Sequence, residues 1–98
     1  VKEKVTIHEL KTWPGYFNDL IYGDKDFEVR NNDRNFKVGD IIILKEYDWT
    51  QKIYSGRQTK RKIKYIFDEL GLQKGFVILG LKKLPRTVTP KGDERTAK

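Results

Sequence analysis

Apolar positions along this chain recur with a period of two through most of its length, and with a helical period once near the start. Val5, Ile7 and, less regularly, Leu10 predict a first strand over residues 5–10. Thr12 then precedes Trp13-Pro14. Threonine is a good helix N-cap and proline fits the first turn, so a helix is predicted from Pro14 to Tyr22 with Phe17, Leu20 and Ile21 as its buried stripe. Gly23 stands where a helix end favours a left-handed residue.

Residues 25–30 alternate again, which predicts a half-buried strand with Phe27 and Val29 toward the core and Asp26, Glu28 and Arg30 on the other face. The polar stretch Asn31 to Asn35 reads as a loop. Ile41-Ile42-Ile43-Leu44 is apolar without alternation, the pattern of a central strand covered on both faces, and it continues through Lys45 to Tyr47. A hairpin region over residues 48–51, closed by Ser55-Gly56, leads to a return strand over residues 58–66. That strand would carry Arg61, Ile63 and Tyr65 on one side and Lys60, Lys62 and Lys64 on the other. Residues 68–74 connect, with one helical turn, to a last strand at Phe76 to Leu81.

The order β-α-β-β-β-β, with five short, mostly antiparallel strands and one main helix, predicts an α+β fold: a small, partly closed β-barrel with the helix packed on it. The 98 residues suffice for one core, so a single domain is expected over residues 1–84. The remainder, 85–98, holds Pro90, Gly92 and many charges, and is expected to be a disordered basic tail.

Without cysteine and with one histidine, a disulfide framework and a thiolate or His-rich zinc centre are excluded, so no metal or cofactor is expected. The absence of any apolar run near the length of a membrane span predicts a cytoplasmic protein with no membrane partner. The net charge of +7 points to a polyanion. From Lys82 onward there are six basic residues against two acidic ones, so more than half of that charge sits at the C-terminal end.

Two clusters are candidates for chemistry. Lys25, Asp26, Glu28, Arg30, Asp33 and Arg34 crowd the second strand and its loop, where alternation aims Glu28 and Arg30 the same way as an ion pair or a shared ligand site. The competing reading is a solvated edge with ordinary salt bridges. His8, Lys11 and Trp13 meet at the strand-to-helix junction. A tryptophan beside cationic donors suits an unpaired base, although a satisfied histidine and a packing tryptophan would look the same in sequence. Lys60, Lys62 and Lys64 could track a phosphate backbone but equally guard an edge strand. Trp49 is expected at an exposed hairpin tip.

His8-Glu9-Leu10-Lys11-Thr12-Trp13-Pro14, Phe27 to Arg34, Phe36 to Leu44, Glu46-Tyr47 and Tyr54-Ser55-Gly56-Arg57 resemble a small bacterial and phage family of unknown function (DUF3850-like) within the ASCH/PUA-like superfamily. The resemblance spans residues 8–81. It implies a β-barrel with a helix against it and a cleft lined by the polar strand, in an architecture associated with RNA binding. One ASCH relative is an amidohydrolase of acetylated cytidine. Gly23-Asp24-Lys25 and Arg30 match its pattern, but Glu28 stands in place of its nucleophilic threonine, and a carboxylate does not replace a lysine-activated hydroxyl.

The resulting expectation is a module that binds RNA, a nucleobase or a nucleotide, using His8, Lys11, Trp13, Lys25, Glu28, Arg30, Asp33 and Arg34. Glu28 and Arg30 should then point into a concave site walled by His8, Lys11 and Trp13. Two alternatives remain: an amidohydrolase-like enzyme acting on a modified nucleoside with Lys25 and Glu28 as acid and base, and a protein-interaction module docking through Trp49 and the basic strand.

Overall fold

The computed structural model describes residues 5–84. Five strands, β1 (Ile7–Thr12), β2 (Phe27–Asn31), β3 (Ile41–Asp48), β4 (Ile53–Phe67) and β5 (Phe76–Lys83), and one helix, α1 (Pro14–Tyr22), build a curled half-barrel. The strand order is β1-β3-β4-β5-β2. Three of the four pairings are antiparallel, and β1 runs parallel to β3, with Ile7 beside Ile41 and Lys11 beside Lys45. The α+β, partly closed barrel is therefore the fold. The expected tail, 85–98, lies outside the described residues, as do residues 1–4.

Alternation selects the core. Leu10 from β1, Ile42 and Leu44 from β3, Ile63 from β4, and Val77, Leu79 and Leu81 from β5 all face inward, where Leu20 of α1 and Phe36 join them in one cluster; Phe17 of α1 is buried as well. Helical spacing puts Phe17 and Leu20 on one face. Burial of a large apolar side chain contributes roughly 1.5–3 kcal/mol, so this cluster supplies most of the driving force for folding.

Several local expectations are corrected. Thr12 does not cap α1: it ends β1, is buried, and Trp13 occupies the N-cap position without a side-chain cap bond. Gly23 is extended rather than left-handed (φ −110°), because the chain passes from helix straight toward β2. Its glycine is required by space instead, since a Cβ there would lie 2.9 Å from the Asp19 carbonyl oxygen. β1 begins and ends two residues later than expected and turns His8, Leu10 and Thr12 inward, leaving Ile7 exposed.

In β3 only Ile42 and Leu44 are fully buried, because Ile41 and Ile43 lie on the half-covered outer face. The middle of the sheet is β4. A register shift between Ile63 and Tyr65 turns Tyr65 outward beside Lys64, so the ladder of Arg61, Ile63 and Tyr65 on one face is broken at its third rung. The link from β4 to β5 contains turns closed by Leu72 N–H to Glu69 O and Phe76 N–H to Gln73 O, with no helix.

β2 departs most from expectation. Glu28 is 4% exposed, while Phe27 and Val29 are 42% and 50% exposed, so the inward face is the polar one. β2 is an edge strand, and its inward side at this point borders a cleft rather than the apolar core. The carboxylate tolerates burial because it is flanked by two cations.

Candidate nucleic-acid interface

The sheet stays open between its two edge strands, β1 and β2, and side chains bridge the gap. Ile41 N–H bonds the Thr6 carbonyl, so the odd-numbered carbonyls of β1 face away from β3. Two of these are taken by arginines: Arg30 Nη2 donates to Lys11 O at 2.8 Å, and Arg34 Nη1 donates to Glu9 O at 3.0 Å. Arg30 Nη2 also lies 3.4 Å from the Thr12 hydroxyl. A cleft runs along this opening.

At its centre sits Glu28. Arg30 contacts Oε1 through Nε at 3.2 Å and Nη2 at 3.1 Å, and Lys25 Nζ lies 3.5 Å from Oε2. The Lys25 ammonium also stands 4.5 Å from the Tyr16 ring centre and 5.3 Å from that of Phe27. Glu28 and Arg30 therefore do point into a concave site, next to Lys11, Thr12 and Trp13.

Three neighbouring hollows lie along the cleft. One of about 610 Å³ lies between α1, the Gly23–Lys25 link and β2. A narrow one of about 210 Å³ lies between Trp13, Trp49 and the Glu28–Arg30 pair. The third, about 410 Å³, is lined by Lys11, Arg30, Arg34, Lys45, Trp49 and Tyr54, together with Glu9. Glu28 and Val29 wall both the first and the second, and Lys11, Arg30 and Trp49 both the second and the third, so the three lie side by side. Charge divides along the groove: Asp19, Asp24 and Glu28 outnumber Lys25 at one end, and Lys11, Arg30, Arg34 and Lys45 outnumber Glu9 at the other.

Aromatic rings line the basic end. Trp13 and Trp49 pack with ring centroids 4.7 Å apart and planes tilted by 37°; Tyr47 meets Trp49 edge-on at 5.1 Å, and Tyr54 meets Tyr47 at 4.7 Å. Lys11 Nζ lies 4.3 Å above the Tyr47 ring. Trp49 is exposed in the β3–β4 turn, as expected, and its contacts with Trp13 and Tyr47 also make it a wall of the cleft. Parallel pairing sets Lys11 directly beside Lys45; Lys45 Nζ lies 3.0 Å from Glu9 Oε1, while Lys11 rests on Tyr47.

Of the residues singled out in the sequence, Lys11, Trp13, Lys25, Glu28, Arg30 and Arg34 line the cleft. His8 does not. Its Nε2 lies 2.8 Å from Asp40 Oδ2 in a buried pair, with Phe36 edge-on at 4.8 Å, so it ties β1 to the turn before β3 and does not wall the Glu28–Arg30 site. Asp33 sits exposed in the turn after β2, 3.9 Å from Arg34 Nε.

Sequence reading missed Lys45, Tyr47 and Tyr54. The signal for the first two lay in β3, where alternation with Ile42, Leu44 and Glu46 puts them on the other face. Their closeness to Lys11 and Trp13 depends on the β1–β3 pairing. Lys60 and Lys62 lie exposed on the opposite face of β4 from the core.

A separate polar assembly anchors the cleft. Glu46 follows Ile42 and Leu44 on the inward face of β3 and receives Arg57 on both oxygens and the Ser55 hydroxyl on Oε1 at 2.6 Å. The Arg57 hydrogen bonds hold the Glu46 carboxyl below its ordinary 4.5, against desolvation, with Ser55 adding to the effect. The same contact raises the Arg57 guanidinium. Arg57 also donates to Asn18 Oδ1 and lies over the Phe17 ring, pinning the β3–β4 hairpin to α1. Arg61 is buried and donates to Leu20 O at the end of α1, and burial lowers its pKa.

Among the described residues no cluster of three or more His, Asp or Glu is placed to hold a metal, and no helix is long and apolar enough to cross a membrane.

The model of a family described as a domain of unknown function (DUF3850) matches residues 7–81 of this chain. An "Uncharacterized 12.9 kDa protein in GpA 3'region" of Escherichia phage P2 is 36% identical over 73 residues. The match covers 74% of this chain and 65% of the phage protein.

Proposed function

The chain belongs to the DUF3850 family, and we propose that it is an ASCH/PUA-like module that binds RNA or a nucleotide in the cleft between β1 and β2. One observation carries this reading: Lys11, Arg30, Arg34 and Lys45 converge on the end of the cleft lined by Trp49 and Tyr54, with Trp13 and Tyr47 packed against Trp49. Unpaired nucleotides offer phosphates to cations and flat faces to aromatic rings, and base stacking contributes about 1–3 kcal/mol per base.

Fluorescence anisotropy of a labelled single-stranded RNA at low salt tests the proposal. Binding should saturate and should weaken in Lys45→Ala with the circular dichroism spectrum unchanged. No shift with RNA, single-stranded DNA or a labelled nucleotide would refute it.

A second reading, acid–base chemistry on a modified nucleoside, is supported by the 3.5 Å approach of Lys25 Nζ to Glu28. Chromatography of modified nucleosides after incubation decides it, and turnover abolished by Lys25→Ala would establish it.

A further inference from the structure

We infer that the hollow of about 610 Å³ beside β2 is a nucleobase pocket, in which a planar heterocycle lies against Tyr16 and Phe27 and is read by the main chain of Phe27 and Val29. The inference rests on the proposed nucleotide-binding reading and assigns the two ends of the cleft different parts of the ligand.

The open main chain follows from register. Leu81 N–H bonds the Asp26 carbonyl and Asn32 N–H bonds the Gly75 carbonyl, so even-numbered residues of β2 face β5. Phe27 and Val29 direct their N–H and C=O groups the other way, along the hollow. They make no hydrogen bond on that side among the described residues. Donors and acceptors alternating along a strand edge match the alternating donors and acceptors on the edge of a base.

Three observations favour a compact flat ligand over an added peptide strand. The open stretch is short, because the Asn31 carbonyl already accepts from Asp33 N–H at 2.8 Å. Helix α1 and the Gly23–Lys25 link wall the hollow, whose volume lies in the range of small-molecule sites. Tyr16 and Phe27 are 55% and 42% exposed, and Lys25 Nζ, 4.5 and 5.3 Å from their ring centres, covers only part of that surface and is displaced or shared when a base stacks there.

Charge orients the ligand. Asp19, Asp24 and Glu28 outnumber Lys25 here, so a phosphate is disfavoured and an uncharged base is accepted. The phosphate is then directed to the Arg34 and Lys45 end.

The test is a titration of isotope-labelled protein, followed by amide NMR, with ribonucleosides lacking phosphate, with inorganic phosphate and with a short single-stranded RNA. At least one nucleoside should shift the Phe27 and Val29 amides saturably, and phosphate should shift those near Arg34 and Lys45 instead. Tyr16→Ala should weaken nucleoside binding roughly five- to 150-fold, the size of one stacking contact, Tyr16→Phe should retain it, and Lys62→Ala, exposed on β4 and outside the cleft, should leave it unchanged.

If RNA shifts the Lys11 and Lys45 amides and leaves Phe27 and Val29 still, the base pocket is wrong and the proposed function stands. If an extended valine- and threonine-rich peptide shifts Phe27 and Val29 and no nucleoside does, the edge is a peptide site and the inference is overturned. If nothing shifts any amide, both are wrong.

Discussion

The Arg57 guanidinium grips the Glu46 carboxylate with two nitrogens, Nε 2.9 Å from Oε1 and Nη2 3.0 Å from Oε2, and, donating also to Asn18 Oδ1 at 2.8 Å, fastens the hairpin carrying Trp49 to the helix that starts after Trp13. Removing Arg57 strands a buried carboxylate. Because the Arg57 side chain is itself 36% exposed, Arg57→Ala should cost about 2 kcal/mol, less than for a fully buried pair. Urea denaturation measures it.

The same pair sets a pH dependence. The folded-state pKa of Glu46 is lowered from 4.5, so its contribution to stability is present above the unfolded value and is lost as pH falls through the folded one. Thermal melts should therefore show Tm falling below about pH 4.5. Glu46→Gln should flatten this acid limb while lowering Tm at neutral pH.

His8 and Asp40 should prove structural. His8→Ala leaves Asp40 without one buried partner, although Lys37 N–H still donates to it, and should destabilise the domain by about 1–3 kcal/mol. RNA affinity of the folded fraction, measured well below Tm, should stay within about twofold of the unsubstituted protein.

Trp13 and Trp49 should report on the ligand together. Their rings are in contact at 4.7 Å, tilted by 37°, so a nucleotide bound against either should quench tryptophan fluorescence. Trp49→Ala should weaken RNA binding by about 1–3 kcal/mol. Unchanged affinity would make the pair a hairpin anchor only.

Arg34→Ala tests electrostatics at a residue whose side chain is 44% exposed. If Arg34 neutralises one phosphate, the slope of log K against log salt should fall in magnitude by about 0.7. An unchanged slope would remove Arg34 from the interface.

Period and composition alone determined the element order, the bounds of α1, and the inward roles of Phe17, Leu20, Leu44 and Ile63, because repeating apolar positions are a local signal. The crowding of Lys25, Glu28 and Arg30 was legible for the same reason.

Alternation could not show which parity of β2 faces inward. It assigned Phe27 and Val29 to the core, whereas Glu28 is the buried residue, since that outcome depends on whether the strand borders core or cleft and on whether its carboxylate finds cations. The burial of His8 against Asp40, 32 positions away, and the meeting of Lys11 with Lys45, Tyr47 and Trp49 rest on the pairing of β1 with β3. Contacts between residues so far apart in the chain exist only once the sheet has closed, so tertiary structure alone decided which aromatic and basic side chains share the cleft.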